Sequence, residues 1–269
     1  MTHAERFRRL SSPLEPIPTK ETPQLDALEG IEAVVFDIYG TLVISGSGDI
    51  GLIDESNREN AMREAFEAVG ATMPEGASTR FYQLIREDRE ASHVEHPEVE
   101  IREIWRKLAG DDVGVEALAI EYECRTNVVW PMPNLVETLG QLRERGLRLG
   151  IVSNAQFYTP HLFEAFCNAT LDELGFDPEL QVFSFDLREG KPSTLLYAEI
   201  AKSQDPKRAL FVGNDMLKDI WPAQTVGFKT ALFAGDQRSL RNREDDPRVA
   251  ETHPDLVITD LAQLPGAIK

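Results

Sequence analysis

The sequence has little cysteine, no long apolar run and no block of basic residues. Its 269 residues include two cysteines, Cys124 and Cys167, which is too few for a disulfide framework. We therefore expect free thiols and a reducing, cytoplasmic environment. No stretch of about 18 apolar residues occurs, so we expect no membrane span. The first 24 residues lack an apolar segment, so we expect no secretory signal.

The charge balance is strongly acidic, with a formal net charge of -18. Because the 28 lysines and arginines form no dense cluster, we expect no nucleic-acid partner. An anionic membrane surface would also repel the chain. An anionic substrate remains compatible with this balance, provided that local positive groups or a metal ion attract it.

Short apolar runs alternate with helical patterns over most of the chain, which predicts a parallel sheet with helices on both faces. The fold class is thus α/β, a Rossmann-like doubly wound core. A helix is predicted over Met216–Val226. The predicted strands are Val34–Phe36, Leu147–Val152, Val182–Phe185, Ala209–Val212, Thr230–Phe233 and Leu256–Ile258.

A section without a convincing strand, residues 48–130, follows the first predicted strand. Its apolar spacing predicts helices at Ser56–Val69, Thr79–Ala91 and Val115–Val128, and His96–Gly110 is predicted to be a turn that enters a helix. Because a strand precedes it, we interpret residues 48–130 as an all-helical insertion, with residues 31–47 and 131–269 as the core. Residues 1–30 are predicted to form an N-terminal extension, either loose or wrapped around the body.

Polar residues follow four of the predicted strands. Asp37, Ser153–Asn154, Lys191 and Asn214–Asp215 stand at or shortly after strand ends. One such residue is usually a turn former or a helix cap. In a doubly wound sheet, however, ligands bind at the carboxyl ends of the strands, and four such positions with one lysine among carboxylates indicate a site.

Four segments in this order resemble the motifs of the haloacid dehalogenase superfamily. They are FDIYGTL, IVSNA, EGKPS and VGNDMLKDI, within a resemblance that spans residues 32–262. The resemblance implies a Rossmann-like core, a nucleophilic aspartate, and a helical cap formed by the insertion after the first motif.

The resemblance also implies a role for each matched residue. Asp37 would be the nucleophile, and Lys191 would neutralise charge on nucleophile and substrate. Ser153 and the backbone N–H of Asn154 would bind oxygens of the transferred group. Thr41 of the first motif would join them in substrate binding.

A Mg²⁺ ion would suit the same site because it takes one or two carboxylates together with substrate phosphate. The expected ligands are Asp37, the Tyr39 carbonyl and Asp215. Asn214, whose amide oxygen is an alternative ligand, and Asp219 are expected to support them.

Two positions depart from the phosphatase pattern. Tyr39 replaces an aspartate that usually acts as general acid and base, and a phenol with a pKa of about 10 is a poor base near neutral pH. Asn214 stands where the fourth motif usually has its first aspartate.

The D-x-Y-G-T pattern is similar to that of the metal-independent 2-haloacid dehalogenases of the superfamily. Those enzymes need a cap arginine for the halide, and their fourth motif has Ser-x-Asn-x-x-Asp. Here Asp215 and Asp219 would repel Asp37 without a cation, which favours a metal-dependent phosphate site. The candidate halide-binding arginines are Arg58, Arg63, Arg86 and Arg89.

Three functional hypotheses follow: a Mg²⁺-dependent phosphatase of a small phosphorylated metabolite, a 2-haloacid dehalogenase, and a non-catalytic binding protein that retains the fold. We expect the cap to set specificity. Ser45–Gly51 and Trp130–Asn134 are candidate hinges, and a loop with His93 and His96 is a candidate contact with substrate. The oligomeric state stays open.

Overall fold

A parallel six-stranded sheet forms the centre of the molecule. The computed structural model describes residues 1–46 and 55–269. The strands are β1 Ala33–Phe36, β2 Val43–Ser45, β3 Val129–Pro131, β4 Arg148–Ser153, β5 Phe176–Phe183, β6 Ala209–Gly213, β7 Lys229–Phe233 and β8 Leu256–Ile258. The sheet order is β5-β4-β1-β6-β7-β8, and all five pairings are parallel. The predicted Rossmann-like fold class is confirmed.

Helices cover both faces of this sheet and fill the section after β2. They are α1 His3–Leu10, α2 Glu55–Ala68, α3 Ala77–Glu90, α4 Ile101–Ala109, α5 Val115–Thr126, α6 Leu135–Glu144, α7 His161–Cys167, α8 Ser184–Leu187, α9 Leu195–Ile200, α10 Trp221–Val226 and α11 Leu264–Ala267. Two 3-10 helices, Pro206–Arg208 and Leu261–Gln263, and a π-helical turn, Met216–Ile220, complete the helical elements of the described residues.

Strand β1 lies at the middle of the sheet, between β4 and β6. Its four residues are all fully buried, as expected for a parallel strand covered on both faces. Val35 aligns with Gly150 on one side and Phe211 on the other. Asp37 therefore leaves the sheet between two neighbouring strand ends.

The third strand of the core differs from its prediction. It was expected at Val182–Phe185, but β5 begins at Phe176 and ends at Phe183, and Ser184 begins α8. The sequence Asp177-Pro178-Glu179 resembles a turn. Because β5 is an edge strand, it accommodates a proline and charged side chains in an irregularity of its ladder with β4, between the pair of Leu149 with Phe176 and the pair of Ile151 with Gln181.

The section between β2 and β3 contains the four predicted helices, α2 to α5. Trp105 of α4 is fully buried among aromatic rings, with centroids 4.5 Å from Phe81 and 5.3 Å from Tyr122. Residues 96–100 are not helical and lead into α4, as predicted for a turn that enters a helix; α4 begins at Ile101, where the Glu100 side chain accepts the backbone N–H of Arg102.

The two segments that connect the sheet to this helical section, β2 and β3, are hydrogen-bonded to each other. β2 pairs antiparallel with β3, with Ile44 opposite Trp130. The expectation that residues 48–130 hold no strand is therefore wrong at its end, because β3 spans the predicted boundary. Three-residue strands are too short to show an alternating pattern. Ser45 and Gly46 of the first candidate hinge belong to β2 and its following turn, whereas residues 47–51 lie outside the described residues.

The N-terminal residues lie on the body. Thr2 and Glu5 form a capping box that starts α1, and α1 packs against α5 and α7. Farther along, Gln24 pairs with Val257 at the β8 edge and Leu28 pairs with Ile268. Of the two arrangements left open by the sequence, the structure has the wrapped one.

Both cysteines are free thiols. Burial raises the pKa of Cys167 to about 11 and raises that of Cys124 further. Neither has the lowered pKa that marks a reactive thiol. Within residues 1–46 and 55–269, no helix combines the length and apolarity needed to cross a membrane.

Candidate active site

The strand ends bring the predicted site residues together in one buried cluster. Asp37 follows β1, Ser153 ends β4, and Asn214 follows β6. Lys191 comes from the loop after α8, which lies beside these strand ends. Each of these four side chains belongs to a residue that is less than a tenth exposed. Their convergence at the carboxyl edge of the sheet is the arrangement expected for a doubly wound fold.

Asp37 is held by two donors at one of its carboxylate oxygens. The hydroxyl of Ser153 donates to Asp37 Oδ1 at 2.9 Å, and Lys191 Nζ donates to the same oxygen at 2.7 Å. The backbone N–H of Asp37 donates to the carbonyl of Val212 on β6, which fixes the main chain. The side chain is thus oriented before any ligand binds.

Lys191 links two carboxylates. Its ammonium group donates to Asp37 and, at 2.5 Å, to Asp219 Oδ1. Burial opposes the charged form, but attraction to Asp219 and Asp37 prevails and raises the pKa of Lys191. We therefore treat this lysine as a fixed positive charge in the site.

Asp219 lies on the π-helical turn that replaces the first part of the predicted helix Met216–Val226. Its Oδ2 accepts the backbone N–H of Asp215 at 2.9 Å, while Oδ1 faces Lys191. Burial is the largest influence and raises the pKa of Asp219 to about 7, with Lys191 opposing and Asp37 adding to the shift. Burial therefore favours the protonated, neutral form of the Asp219 carboxyl group.

Asp215 has partners of its own. Its Oδ1 caps the π-helical turn by accepting the backbone N–H groups of Leu217 and Lys218. Arg243 approaches the same carboxylate, with Nη2 2.6 Å from Oδ2. The role of Asp215 as a metal ligand stays a prediction, since in this arrangement the carboxylate serves as a helix cap and an ion-pair partner.

Asn214 joins the first and fourth motifs. Its Oδ1 accepts the hydroxyl of Thr41 at 3.1 Å, and its Nδ2 donates to the Ser239 carbonyl at 2.7 Å. Gly40 packs against it with φ +85°, and a Cβ there would lie 2.8 Å from the Asn214 amide nitrogen. The first-motif turn therefore requires glycine for both its conformation and its close approach.

Asn154 supports the loop that carries the lysine. Its Oδ1 accepts the backbone N–H of Lys191 at 2.7 Å. The alternative that Ser153 and Asn154 cap the next helix does not hold, because α7 begins at His161 with Pro160 in the capping position. The pair instead connects Asp37 to the loop of Lys191.

Tyr39 lines the same cavity as Asp37, and its phenol contacts the loop after β4. The hydroxyl lies 3.1 Å from Thr159 Oγ1. Burial, followed by repulsion from the nearby Glu123, raises the pKa of this phenol above its ordinary value. The side chain is therefore unsuited to exchange protons near neutral pH.

A cavity of about 720 Å³ opens above the cluster. The sheet side contributes Asp37, Lys191 and Asp219, and the helical section contributes a mixed wall. That wall includes Arg58, Tyr82, Arg89, Glu98, Glu123 and Asn127. Helices α2, α3 and α5 therefore face the candidate nucleophile.

Two of the four candidate arginines reach this cavity. The Arg58 guanidinium lies 4.9 Å from the centre of the Tyr82 ring, and Arg89 lies 3.9 Å from Glu98. Arg63 and Arg86 are exposed side chains. Neither is among the cavity-lining residues in the described part of the chain.

The two histidines predicted to contact substrate do not line the cavity either, as far as the described residues show. His93 is exposed, and the His96 carbonyl accepts the backbone N–H of Gly190 at 2.8 Å. Together with the bond from Glu98 N–H to the Arg188 carbonyl, this contact joins the helical section to the lysine loop. The segment around His96 therefore contacts the loop of Lys191 through backbone hydrogen bonds and not through its histidine side chains.

Several cavity residues escaped the sequence interpretation. Glu123, Asn127, Tyr158 and Arg243 carry no motif and lie far apart in the chain. Glu123 belongs to the segment EYECRT, where a glutamate reads as a solvent-exposed residue. One sequence feature could have indicated burial of Glu123: the segment that forms α5 has apolar residues on several faces of the helix, which leaves few positions exposed to solvent.

The oxygen-rich cluster is chemically suited to a hard cation. Among residues 1–46 and 55–269, no three acidic, histidine or cysteine side chains converge as a complete metal cage. Mg²⁺ commonly uses only one or two carboxylates and completes its coordination with carbonyl, water and phosphate oxygens. Asp37 and Asp215, which both line the cavity, supply carboxylate oxygens of the kind that such an ion takes.

Comparison with known proteins assigns the family. A profile of the haloacid dehalogenase-like hydrolases matches residues 31–227, which include all four motifs. The chain belongs to this family. The resemblance inferred from the motifs is therefore confirmed.

This haloacid dehalogenase-like hydrolase has both phosphatases and dehalogenases among its similar proteins. It is 27% identical to glyceraldehyde 3-phosphate phosphatase of Methanopyrus kandleri, over 80% of this chain and 90% of that protein. A HAD phosphatase from Thermococcus onnurineus has a TM-score of 0.53 and 22% identity, covering 88% of this chain and 97% of that one. A 2-haloacid dehalogenase from Pseudomonas syringae has a TM-score of 0.54 and 23% identity, with the same coverage. The two structural similarities show the fold.

Proposed function

We propose that the protein is a phosphatase that hydrolyses a small phosphorylated metabolite through an aspartyl-phosphate on Asp37. The observation that carries the proposal is the buried Asp37 carboxylate, oriented by Ser153 and Lys191 beneath a cavity. The similarity to glyceraldehyde 3-phosphate phosphatase over 90% of that protein supports phosphate-ester chemistry and a phosphorylated sugar as substrate class.

The first step is attack by Asp37 on phosphorus. Because both side-chain donors bind Oδ1, we assign Oδ2 as the attacking oxygen. A bond forms between Oδ2 and phosphorus while the bond between phosphorus and the ester oxygen breaks. Water then attacks the phosphorus, which releases inorganic phosphate and restores the carboxylate.

Fixed positive charge and hydrogen-bond donors stabilise the transferred group. Lys191 supplies a buried ammonium beside Asp37, where a low dielectric strengthens its effect on developing negative charge. Ser153, Thr41 and the backbone N–H of Asn154 are our candidates for binding the phosphate oxygens. Asn214 orients Thr41 through the bond at 3.1 Å.

The metal ligands that we propose are Asp37, the Tyr39 carbonyl and Asp215, with the Asn214 amide oxygen as the alternative to Asp215. Bound Mg²⁺ would neutralise phosphate charge and orient the ester. Asp219 is assigned to holding Lys191, because its carboxylate is 2.5 Å from that ammonium group.

The leaving oxygen needs a proton, and Tyr39 is a poor donor because its phenol has a raised pKa and contacts Thr159. We therefore assign proton delivery to water or to the substrate itself. This assignment predicts slow turnover of poor leaving groups relative to activated esters such as p-nitrophenyl phosphate.

The test is phosphate release from p-nitrophenyl phosphate and a panel of phosphorylated metabolites, with Mg²⁺ or EDTA. Asp37→Asn should abolish the activity, whereas the surface control Asp172→Asn should retain it. A panel without metal-dependent turnover, or an active Asp37→Asn variant, would refute the proposal. Loss of a robust activity in Asp37→Asn would also eliminate the hypothesis of a non-catalytic binding protein.

Dehalogenation is the second candidate. Arg58 and Arg89 line the cavity, and Tyr39 stands in the D-x-Y-G-T pattern. Halide release from 2-chloropropionate without metal would support this function, and its absence beside phosphatase activity would exclude it.

A further inference from the structure

The cavity wall opposite the nucleophile contains an acidic side chain that the phosphoryl chemistry does not use. Glu123 projects from α5 into the cavity, which also contains Asp37. Its Oε2 accepts the hydroxyl of Tyr158 at 3.0 Å, and its Oε1 accepts the Asn127 amide at 3.2 Å. A carboxyl group in this position faces the part of a substrate that remains after the phosphoryl group is placed at Asp37.

The surrounding hydrogen bonds fix the orientation of this carboxyl group. Ser45 donates to Asn127 Oδ1 at 2.9 Å, so the Asn127 amide nitrogen is directed towards Glu123. Tyr158 comes from the loop after β4 and holds the other oxygen from the sheet side. Burial raises the pKa of Glu123, so the carboxyl group is able to donate as well as accept hydrogen bonds.

Each Glu123 oxygen accepts one of these bonds and has capacity for another, because a carboxyl oxygen has two lone pairs. A hydroxyl group suits this environment since it also donates and accepts. An alkyl group there would desolvate the carboxyl group without replacing its bonds to water, and such a site discriminates strongly against analogues that lack the hydroxyl.

We propose that Glu123 is a specificity-determining residue that binds a hydroxyl group on the carbon chain of the phosphorylated substrate. The inference rests on the proposed phosphatase function and specifies its substrate class as phosphate esters of polyols or sugars. Simple alkyl phosphates of the same length should be poor substrates.

A purely structural role for Glu123 makes a different prediction. If the carboxyl group only joined α5 to the loop after β4, its replacement would change turnover of all esters by the same factor. If it binds a substrate hydroxyl, replacement changes the preference between a hydroxylated ester and its deoxygenated analogue. The ratio of two kcat/KM values separates these cases because the shared phosphoryl chemistry cancels.

The experiment compares sn-glycerol 3-phosphate with n-propyl phosphate, with p-nitrophenyl phosphate as a reference ester. The variants are Glu123→Gln and Glu123→Ala. The matched control is Glu116→Gln on the same helix, whose carboxylate contacts His3 and Arg102 away from the cavity. The wild type should prefer the glycerol ester, and Glu123→Ala should reduce the preference by about 10- to 100-fold, the range expected for loss of a hydrogen bond to a charged or strongly polar group.

Glu123→Gln should reduce the preference less than Glu123→Ala, because it retains an acceptor oxygen, and Glu116→Gln should leave it unchanged. A wild type that hydrolyses all three esters without preferring the glycerol ester would refute this inference alone. An equal change for both aliphatic esters in Glu123→Ala would also refute it. No hydrolysis of any ester by the wild type would refute the proposed function together with the inference.

Discussion

Replacing Lys191 with methionine should destabilise the protein strongly at alkaline pH. The ammonium group lies 2.7 Å from Asp37 and 2.5 Å from Asp219, and the three side chains are only 3%, 9% and 2% exposed. Methionine has a similar length but no charge, so both carboxylates would lose their buried cation. Breaking a buried pair in this way costs about 3–5 kcal/mol of the free energy of unfolding.

The loss should depend on pH with a definite sign. Burial raises the pKa of Asp219 to about 7, and Lys191 opposes that rise. Removing the lysine should therefore raise the pKa of Asp219 further above its value in the unfolded chain. Stability linked to such a group is present at low pH and lost as pH rises through the folded-state pKa. The destabilisation by Lys191→Met should thus be smaller at about pH 5 than at about pH 8.

The assay is urea unfolding monitored by tryptophan fluorescence at both pH values. Lys202→Met is the control, because that lysine is 67% exposed and pairs with Glu199 on the surface, where loss costs about 0.5 kcal/mol. Adding Asp219→Asn to Lys191→Met should restore part of the stability. A Lys191→Met variant as stable as Lys202→Met at about pH 8, or one with a pH-independent loss, would show that Lys191 does not stabilise the fold by neutralising the two buried carboxylates.

Three other changes test separate parts of the structure. Gly40→Ala should reduce turnover and cost about 1–3 kcal/mol of stability, because the positive φ and the approach to Asn214 both exclude a Cβ; unchanged kinetics and unfolding would contradict this. Glu121→Gln should destabilise by about 3 kcal/mol at neutral pH, since its fully buried carboxylate binds three arginines. Burial alone would raise the pKa of Glu121, but the arginines outweigh it and lower that pKa, so the difference from wild type in urea unfolding should shrink below about pH 4.5, and a constant difference would count against the ion pairs. Tyr39→Phe should change kcat for p-nitrophenyl phosphate by less than about 3-fold, because the phenol contacts Thr159; a loss of 100-fold or more would restore it as an acid-base group.

The sequence was sufficient to predict the sheet and the convergence of Asp37, Ser153 and Lys191. Continuous apolar runs mark buried parallel strands, and the carboxyl ends of neighbouring strands meet at one edge. Strand β5 was only partly predictable, because its first residues include a proline and acidic side chains, which an edge strand tolerates but a buried strand does not. The pairing of β2 with β3 joins two segments that are separated by the whole helical section, so no local sequence pattern predicts it.

Residue roles that depend on tertiary contacts were less accessible. Asp215 matches an acidic motif, but its capping of the π-helical turn and its pairing with Arg243 require the fold of a distant loop. Glu123 resembles a surface glutamate until Tyr158 and Asn127 are seen to hold it in the cavity. Sequence spacing describes neighbours on one element, whereas these contacts join elements far apart in the chain.

Phosphorylation of Asp37 during turnover is measurable by acid-quenched labelling. A phosphate ester that the protein turns over, radiolabelled at phosphorus, is mixed with the protein, the reaction is quenched in acid, and the labelled peptide is identified. We expect a hydroxylamine-sensitive label on the peptide that contains Asp37, and no label in Asp37→Asn. A stable label on another residue, or phosphate release by Asp37→Asn at the wild-type rate, would contradict it.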